Sequence, residues 1–399
     1  MSMGRSSVAA RELGAVETGM VNGVPLRVGI DARELVHPQT GIGRYTTELC
    51  KVLDQLLPCG RFFLYSNRPI YMPVQSPRWV ARVDGRIGVS HLHPLAWLIA
   101  RGGSLCRPDQ LDAYWGAATV LPRLPKSVRS IVTVYDLFHL NRNLVSLKRL
   151  LAYGLLYNRS LARADSIVTI SETTTEKLQS VLGYRAAAIV RPGISQGYRS
   201  YASADIRDCL RLHGISAPYI FAVASRYEPR KNLDSLLEAF CTLKLDGLIP
   251  EHTLVLGGAG GVQAVARASF ARKTCLAAIM SPGIIPEEQL PLLYCGADAF
   301  ILPSTHEGFG IPVLEARACG TRVIATDIPE LREAGGKDAT YVSPTPDGIR
   351  DGIIRALRQP PKVPAEPLPE HSWHNSGLIL AGLLAGRRSG EDAMRQECV

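Results

Sequence analysis

The sequence holds no apolar run that approaches the roughly 18 residues needed to cross a bilayer. The longest candidates, around Leu95–Ala100 and Leu378–Ala385, are far shorter, so a membrane-spanning helix is not expected. The first residues, Met1–Val24, carry Gly and Ser and no apolar signal core, so they read as a loose tail on a cytosolic protein. No Cys-x-x-Cys pair and no Cys/His spacing of a zinc site occurs. The nine cysteines therefore read as scattered small hydrophobes in a reducing compartment, not as a disulfide framework. No internal repeat and no low-complexity tract is present. No Lys/Arg block is interleaved with aromatics, which argues against nucleic acid as a partner.

What is present is material for two cores. The 399 residues suit two domains better than one, and 46% are hydrophobic against 20% charged. The net charge of +9 is lopsided. Residues 1–200 carry 25 Lys and Arg against 13 Asp and Glu, and the remainder 20 against 23. A basic front half fits an anionic membrane surface or a phosphate-bearing acceptor, or serves only solubility.

Short β-rich runs alternate with helical stretches throughout. Strands are expected at Leu26–Ile30, Phe62–Tyr65, Ser130–Val134, Ser166–Ile170 and Ala187–Val190, then at Tyr219–Val223, Thr253–Leu256, Ala299–Leu302 and Arg322–Ala325. Most are continuous apolar runs, as parallel strands covered on both faces require. Helices are expected at Arg44–Leu56, Thr173–Leu182, Leu233–Leu243, Glu287–Tyr294 and Pro312–Cys319. Two βαβα series in succession imply an α/β protein of two doubly wound domains. The first break falls near Arg191–Asp205 and the second at the proline-rich Gln359–Pro369, followed by a last helix over Ser372–Leu384. The resulting plan is a tail over 1–25, domains over 26–200 and 205–368, and a terminal helix over 372–386.

Four strand-to-helix junctions carry candidate chemistry. The densest is Pro303-Ser-Thr-His-Glu-Gly-Phe-Gly-Ile-Pro-Val-Leu-Glu315, at the carboxyl end of a strand, where open α/β sheets bind ligands. Pro312 suits the first helical position and Gly320 the position past the helix. The amides of Gly308, Phe309, Gly310 and Ile311 then face outward at a positive helix end, suited to phosphate or hydroxyl oxygens. Glu307 in the loop and Glu315 in the first turn accept hydrogen bonds from sugar or ribose hydroxyls. The plainer alternative is an ordinary helix start. The second junction, Ala224-Ser-Arg-Tyr-Glu-Pro-Arg-Lys-Asn232, offers Arg226, Arg230 and Lys231 to a diphosphate, or is a solvated basic turn. The third, Gln39-Thr-Gly-Ile-Gly-Arg-Tyr45, is a Gly41-x-Gly43 loop that equally suits a tight turn. In the fourth, Thr133-Val-Tyr-Asp-Leu-Phe-His139, Asp136 stands either in a crevice or as a helix cap.

Residues Ser281–Tyr341 resemble the retaining GT-B glycosyltransferases of family 4, which include many bacterial mannosyl- and glucosyltransferases. Glu307 and Glu315 match that family's E-x7-E pair, and Glu228–Asn232 its E-P-R-K-N segment. Thr40–Tyr45 resembles its N-terminal glycine loop, Ala164–Leu178 its AD-x-I-x-x-x-S element, and Trp373 and Ser376 the start of its crossing C-terminal helix. The similarity runs over about Leu26–Leu384 and is strongest after Tyr219. It implies two Rossmann-like domains facing a central cleft, with the acceptor on the first and a sugar nucleotide on the second. It implies Glu307 against the transferred sugar, Glu315 on the ribose, Arg226 and Lys231 on the diphosphate, and the Gly308–Ile311 amides on sugar and phosphate oxygens. Gly41 and Gly43 would admit the acceptor loop to the diphosphate. The family often has His-Asp where this chain has Tyr135-Asp136, so Tyr135 is expected to supply a hydroxyl in the histidine's place. Ser225 stands where glycine is common.

These readings combine into a retaining hexosyltransferase, metal-independent because no Asp-x-Asp triplet occurs, with no cofactor beyond the nucleoside diphosphate sugar. The expected donor is GDP-mannose and the expected acceptor a lipid-linked or oligosaccharide chain in bacterial surface polysaccharide synthesis. The expected place is the cytoplasm, with peripheral contact to an anionic membrane through the basic stretch Ser146–Arg163, a pattern that also serves a helix packed on the sheet. The alternatives are a UDP-sugar enzyme and a catalytically weak sugar-nucleotide-binding protein.

Overall fold

The computed structural model describes residues 19–21, 23–37, 40–86, 88–140, 145–268, 273–359 and 368–386. Residues 1–18 and 22 of the tail expected over 1–25, and most of the proline-rich break over 359–369, lie outside them; the rest of that tail is corrected, since Met20–Val21 pairs antiparallel with Val24–Pro25 and the Leu26 amide donates to the Gly19 carbonyl at 2.9 Å. The chain divides into two units, 1–193 with 371–399 and 194–370, so the breaks fall at Gly193–Ile194 and Glu370–His371.

The first unit holds a seven-stranded parallel sheet: β1 (Arg27–Asp31), β2 (Arg61–Ser66), β3 (Trp79–Val83), β4 (Ala113–Gly116), β5 (Arg129–Val134), β6 (Ser166–Thr169) and β7 (Ala188–Ile189), in the order 3-2-1-4-5-6-7. The central strands are buried along their length, which is why they read as apolar runs. Its principal helices are α1 (Gly41–Leu56), α2 (Leu147–Leu161) and α3 (Glu172–Leu182). Helix α1 starts three residues before Arg44 because the Thr40 hydroxyl caps the Gly43 amide at 3.2 Å. Helix α2 turns Tyr157 and Leu161 into the core, with Leu150 and Tyr153 half-buried above them.

The second unit repeats the plan. Strands β8 (Tyr219–Val223), β9 (Thr253–Gly257), β10 (Ile279–Gly283), β11 (Ala299–Leu302), β12 (Val323–Thr326) and β13 (Thr340–Val342) pair in parallel in the order 10-9-8-11-12-13. Around them lie α4 (Ser203–Leu212), α5 (Leu233–Leu245), α6 (Ala259–Arg267), α7 (Leu290–Gly296), α8 (Ile311–Ala318), α9 (Pro329–Gly335) and α10 (Pro346–Leu357). Leu236, Leu237 and Phe240 of α5 pack with Leu254, Leu256 and Ile301 of the sheet in one core. In that core the expectation for the cysteines is corrected: Cys241 on α5 is disulfide-bonded to Cys275, 34 residues away. Six further described cysteines take part in no disulfide among the described residues.

The last described helix belongs to the first unit. Helix α11 (Trp373–Ala385) lies against α1 so closely that a Cβ at Gly377 would collide with Val52. Trp373 meets Tyr45 edge to face at 5.6 Å, and the Ser376 hydroxyl donates to the Arg191 carbonyl. Arg129 in turn donates to the Leu384 carbonyl near the end of α11, where a cation suits the helix dipole.

Candidate functional site

In both sheets the strand order reverses between the first strand and its fourth-strand neighbour, and such switch points are where open α/β sheets bind ligands. In the second unit the reversal falls between β8 and β11. The loop after β8 holds Arg226–Asn232 and the loop after β11 holds Pro303–Gly310, so two of the four junctions meet there. They are stitched together. The Thr305 amide donates to the Arg230 carbonyl at 2.8 Å. Asn232, at a positive φ of 54°, donates its side-chain amide to the Pro303 and Pro344 carbonyls.

Glu307 sits in the middle of this junction. Its carboxylate accepts from Lys231 Nζ at 2.7 Å, and Arg230 Nη1 stands 3.6 Å from its other oxygen. Arg230 also bonds Glu228 at 2.7 Å and the His306 carbonyl at 3.2 Å. Burial alone would raise the Glu307 carboxyl; Lys231 and Arg230 outweigh it and hold the group below the usual carboxylate range. Arg226 is different. It is exposed and no hydrogen bond or ion pair of its side chain is found among the described residues. The junction thus holds one cation bonded to Glu307, one shared among Glu307, Glu228 and the His306 carbonyl, and one exposed to solvent.

Helix α8 begins at Ile311, with Gly310 as its N-cap and Pro312 in its first turn. Gly310 has φ 101°, and a Cβ there would collide with Leu331, so only glycine fits. Phe309 is buried at 2% exposure and anchors the loop from below. Glu315 is corrected from the first turn to the second, being the fifth residue of α8. It is buried at 5% exposure, and its Oε2 accepts from the Tyr294 hydroxyl at 3.0 Å. Tyr294 escaped the sequence reading, because a tyrosine in a helix 21 residues away gives no local sign of its partner. A second oversight is legible: the run Gly257-Gly258-Ala259-Gly260-Gly261 joins β9 to α6. Gly258, at φ 89°, leaves no room for a side chain beside the Ala224 carbonyl.

In the first unit the junction residues are more enclosed. Gly41 and Gly43 are not in a loop; they form the first turn of α1, where N–H groups lack intrahelical acceptors. The Gly43 amide is taken by Thr40, and Gly41 is exposed with open space around it. The expected part for Tyr135 is corrected: its hydroxyl is buried, donates to the Ala117 carbonyl at 2.8 Å, and its ring meets Tyr45 edge to face. Burial pushes its ionisation well above the usual tyrosine range. Asp136, half-buried, accepts from the Phe138 amide at 3.2 Å and so caps the turn Phe138–Leu140. At the switch point between β1 and β4, Asp31 and Arg33 form a two-bond ion pair at 2.8 and 2.6 Å, with side chains 0% and 4% exposed.

Two Rossmann-like units of parallel strands in this order make up the GT-B fold. Solved structures agree on the fold: sucrose-phosphate synthase from Thermosynechococcus elongatus superposes with a TM-score of 0.67 at 16% identity, over 93% of this chain and 97% of that one. Residues 213–367 match the family described as Glycosyl transferases group 1, so the second unit carries a glycosyltransferase domain of that family. Among curated proteins it is similar to O-antigen chain mannosyltransferase B of Escherichia coli, 26% identical over 346 residues, covering 81% of this chain and 88% of that one. It is also similar to the GDP-mannose-dependent alpha-(1-6)-phosphatidylinositol monomannoside mannosyltransferase of Mycolicibacterium smegmatis. That match is 29% identical over 250 residues and spans 58% of this chain and 64% of that one. Among the described residues no helix is long and apolar enough to cross a membrane, and no cluster of metal-ligating side chains occurs.

Proposed function

We propose that the protein is a retaining, metal-independent mannosyltransferase that moves mannose from GDP-mannose to a lipid-linked or saccharide acceptor in bacterial surface polysaccharide synthesis. The observation that carries the reading is the Arg226, Arg230, Lys231 and Glu307 constellation at the β8–β11 switch point. The sugar follows from the names of the two curated relatives. In transfer, the bond from the anomeric carbon to the β-phosphate oxygen breaks and the nucleoside diphosphate leaves with the electron pair. The acceptor hydroxyl forms the new bond and gives its proton to the departing diphosphate oxygen. The developing negative charge on the diphosphate falls to Arg226 and Lys231 in place of a divalent ion, because preorganised cations stabilise charge where it builds. The Gly308 to Ile311 amides support the sugar and phosphate oxygens at the start of α8. Glu307 orients the transferred sugar through its hydroxyls, and Glu315, held by Tyr294, takes the ribose. In the first unit, Asp136 is the carboxylate offered to the acceptor side, and Gly41 keeps the start of α1 open. We place the enzyme in the cytoplasm. The Cys241–Cys275 bond is the observation against that placing, since disulfides are rare in reducing compartments.

The deciding experiment incubates the protein with GDP-mannose, UDP-glucose and other sugar nucleotides, with and without chelator, and follows release of the nucleoside diphosphate. Release from GDP-mannose that survives chelation supports the reading. Release from a UDP-sugar alone overturns the sugar, and rescue by magnesium or manganese overturns the role of Arg226 and Lys231. No release from any donor leaves a binding protein as the better account.

A further inference from the structure

The outward side of α2 has a pattern that packing does not explain. Its inward side carries Leu150, Tyr153, Tyr157 and Leu161 toward the first unit. An exposed flank carries one row at four-residue spacing: Leu147, Leu151, Leu155, Arg159, and beyond the helix end Arg163. The three leucines are 66%, 65% and 54% exposed. Among the described residues no other helix exposes three large apolar side chains in a single row. The row is apolar over its first two turns and cationic over its last two. Along the sequence here the charge has one sign: between Asp136 and Asp165 there is no Asp or Glu, and there are Arg142, Lys148, Arg149, Arg159 and Arg163.

The cations stand together. Arg163 donates to the Arg159 and Leu121 carbonyls, which fixes it at the helix end. Burial, then the nearby guanidinium groups of Arg123 and Arg159, lowers its affinity for the proton. Like charges so assembled have no gain from each other and gain from a shared anionic surface. An apolar row beside such a cluster matches the layering of a bilayer interface, where leucines enter the acyl boundary and arginines stay at the phosphates.

We propose that this face of α2, with the Leu147, Leu151 and Leu155 row and the Arg123, Arg159 and Arg163 cluster, docks the enzyme on an anionic phospholipid surface. The helix lies parallel to the membrane plane, and the contact is reversible and sensitive to salt. Docking does not depend on which sugar is transferred, because vesicle binding needs no substrate.

The test is co-sedimentation of the full chain with phosphatidylcholine vesicles and with vesicles containing phosphatidylglycerol, across a salt series. Binding is expected only to the anionic vesicles and is expected to fade as salt rises, since each cation near the surface is worth about fivefold in binding at low salt. The double substitution Leu151→Ser, Leu155→Ser should weaken binding by about tenfold or more. Lys148→Glu with Arg159→Glu should abolish the salt-dependent part. Leu212→Ser and Leu245→Ser, at exposed leucines on other helices, should bind like the parent. The thermal midpoint of each variant reports whether the fold is kept. Equal binding to both vesicle types, no binding to either, or parental binding by the α2 variants overturns the proposal. So does a leucine-dependent dimer in sedimentation without vesicle binding, which would assign the row to a second copy of the chain.

Discussion

The two units share a strand order and use the same place in it differently. At the switch point of the first, Asp31 and Arg33 bond each other out of reach of water, beneath a sheet end crowded with Tyr45, Tyr114 and Tyr135. At the switch point of the second, Lys231 and Glu307 keep 17% and 12% of their side chains in contact with solvent, and Arg226 is exposed. Topology brings strand ends together in both. Whether the charges there hold the structure or meet a ligand depends on how far neighbouring side chains close over them.

Removing one cation from each place separates those two uses. Arg33→Ala leaves Asp31 charged and buried, which costs about 3–5 kcal/mol. It should appear as a large drop in unfolding free energy by denaturant titration. Lys231→Ala should leave the fold nearly intact and lower turnover about 10²–10³-fold, the usual loss for one preorganised charge. If Lys231→Ala unfolds the protein while Arg33→Ala only slows it, the contrast between the units is wrong.

Glu315→Gln probes the second unit more finely. It should weaken nucleoside diphosphate binding by about 1.5–3 kcal/mol, the worth of a charge-assisted hydrogen bond, with the thermal midpoint little changed. Unchanged affinity by calorimetry would remove Glu315 from the ribose.

Acid gives a further handle. The folded-state affinity of Glu307 for protons lies below its ordinary value of 4.5. Its contribution to stability is therefore complete above that value and is lost as pH falls through the lower folded-state value. The difference in thermal midpoint between the parent and Glu307→Gln should stay constant from pH 7 to about 5 and shrink only below the ordinary glutamate range. A difference that collapses between pH 7 and 5 would show that Lys231 and Arg230 do not dominate the carboxylate.

The smallest effect is expected at Tyr135→Phe. Loss of the bond to the Ala117 carbonyl should cost about 0.5–1.5 kcal/mol of stability and alter turnover by less than about threefold. A hundredfold loss of turnover would restore the hydroxyl to the chemistry.

What could be read in the chain follows from burial. Strands β8 and β11 are continuous apolar runs and were expected with their observed limits. β3, β10 and β13 are edge strands; β3 alternates in burial, β10 is half-buried along most of its length and β13 is three residues long, so none gave such a run. β4 is central, yet its four residues, Ala-Tyr-Trp-Gly, are too few to show a period. The loops at the β8–β11 junction were legible because glycine, proline and charge cluster there. Their pairing was not: Lys231 and Glu307 are 76 residues apart, and nothing local in either segment names the other. The same reason hid the bond between Cys241 and Cys275, which have no signature spacing.

The return of α11 to the first unit governs the order in which the protein is made. As the chain leaves the ribosome, residues 194–370 are complete before Trp373–Ala385 has emerged. Until then the side of α1 that receives Gly377 lies open, and the Tyr45 ring lacks Trp373. The second unit can thus reach its final form during synthesis, while the first, although translated earlier, must wait for the last helix. A chain truncated after residue 370 would hold every residue of the second unit and a first unit that lacks its last helix.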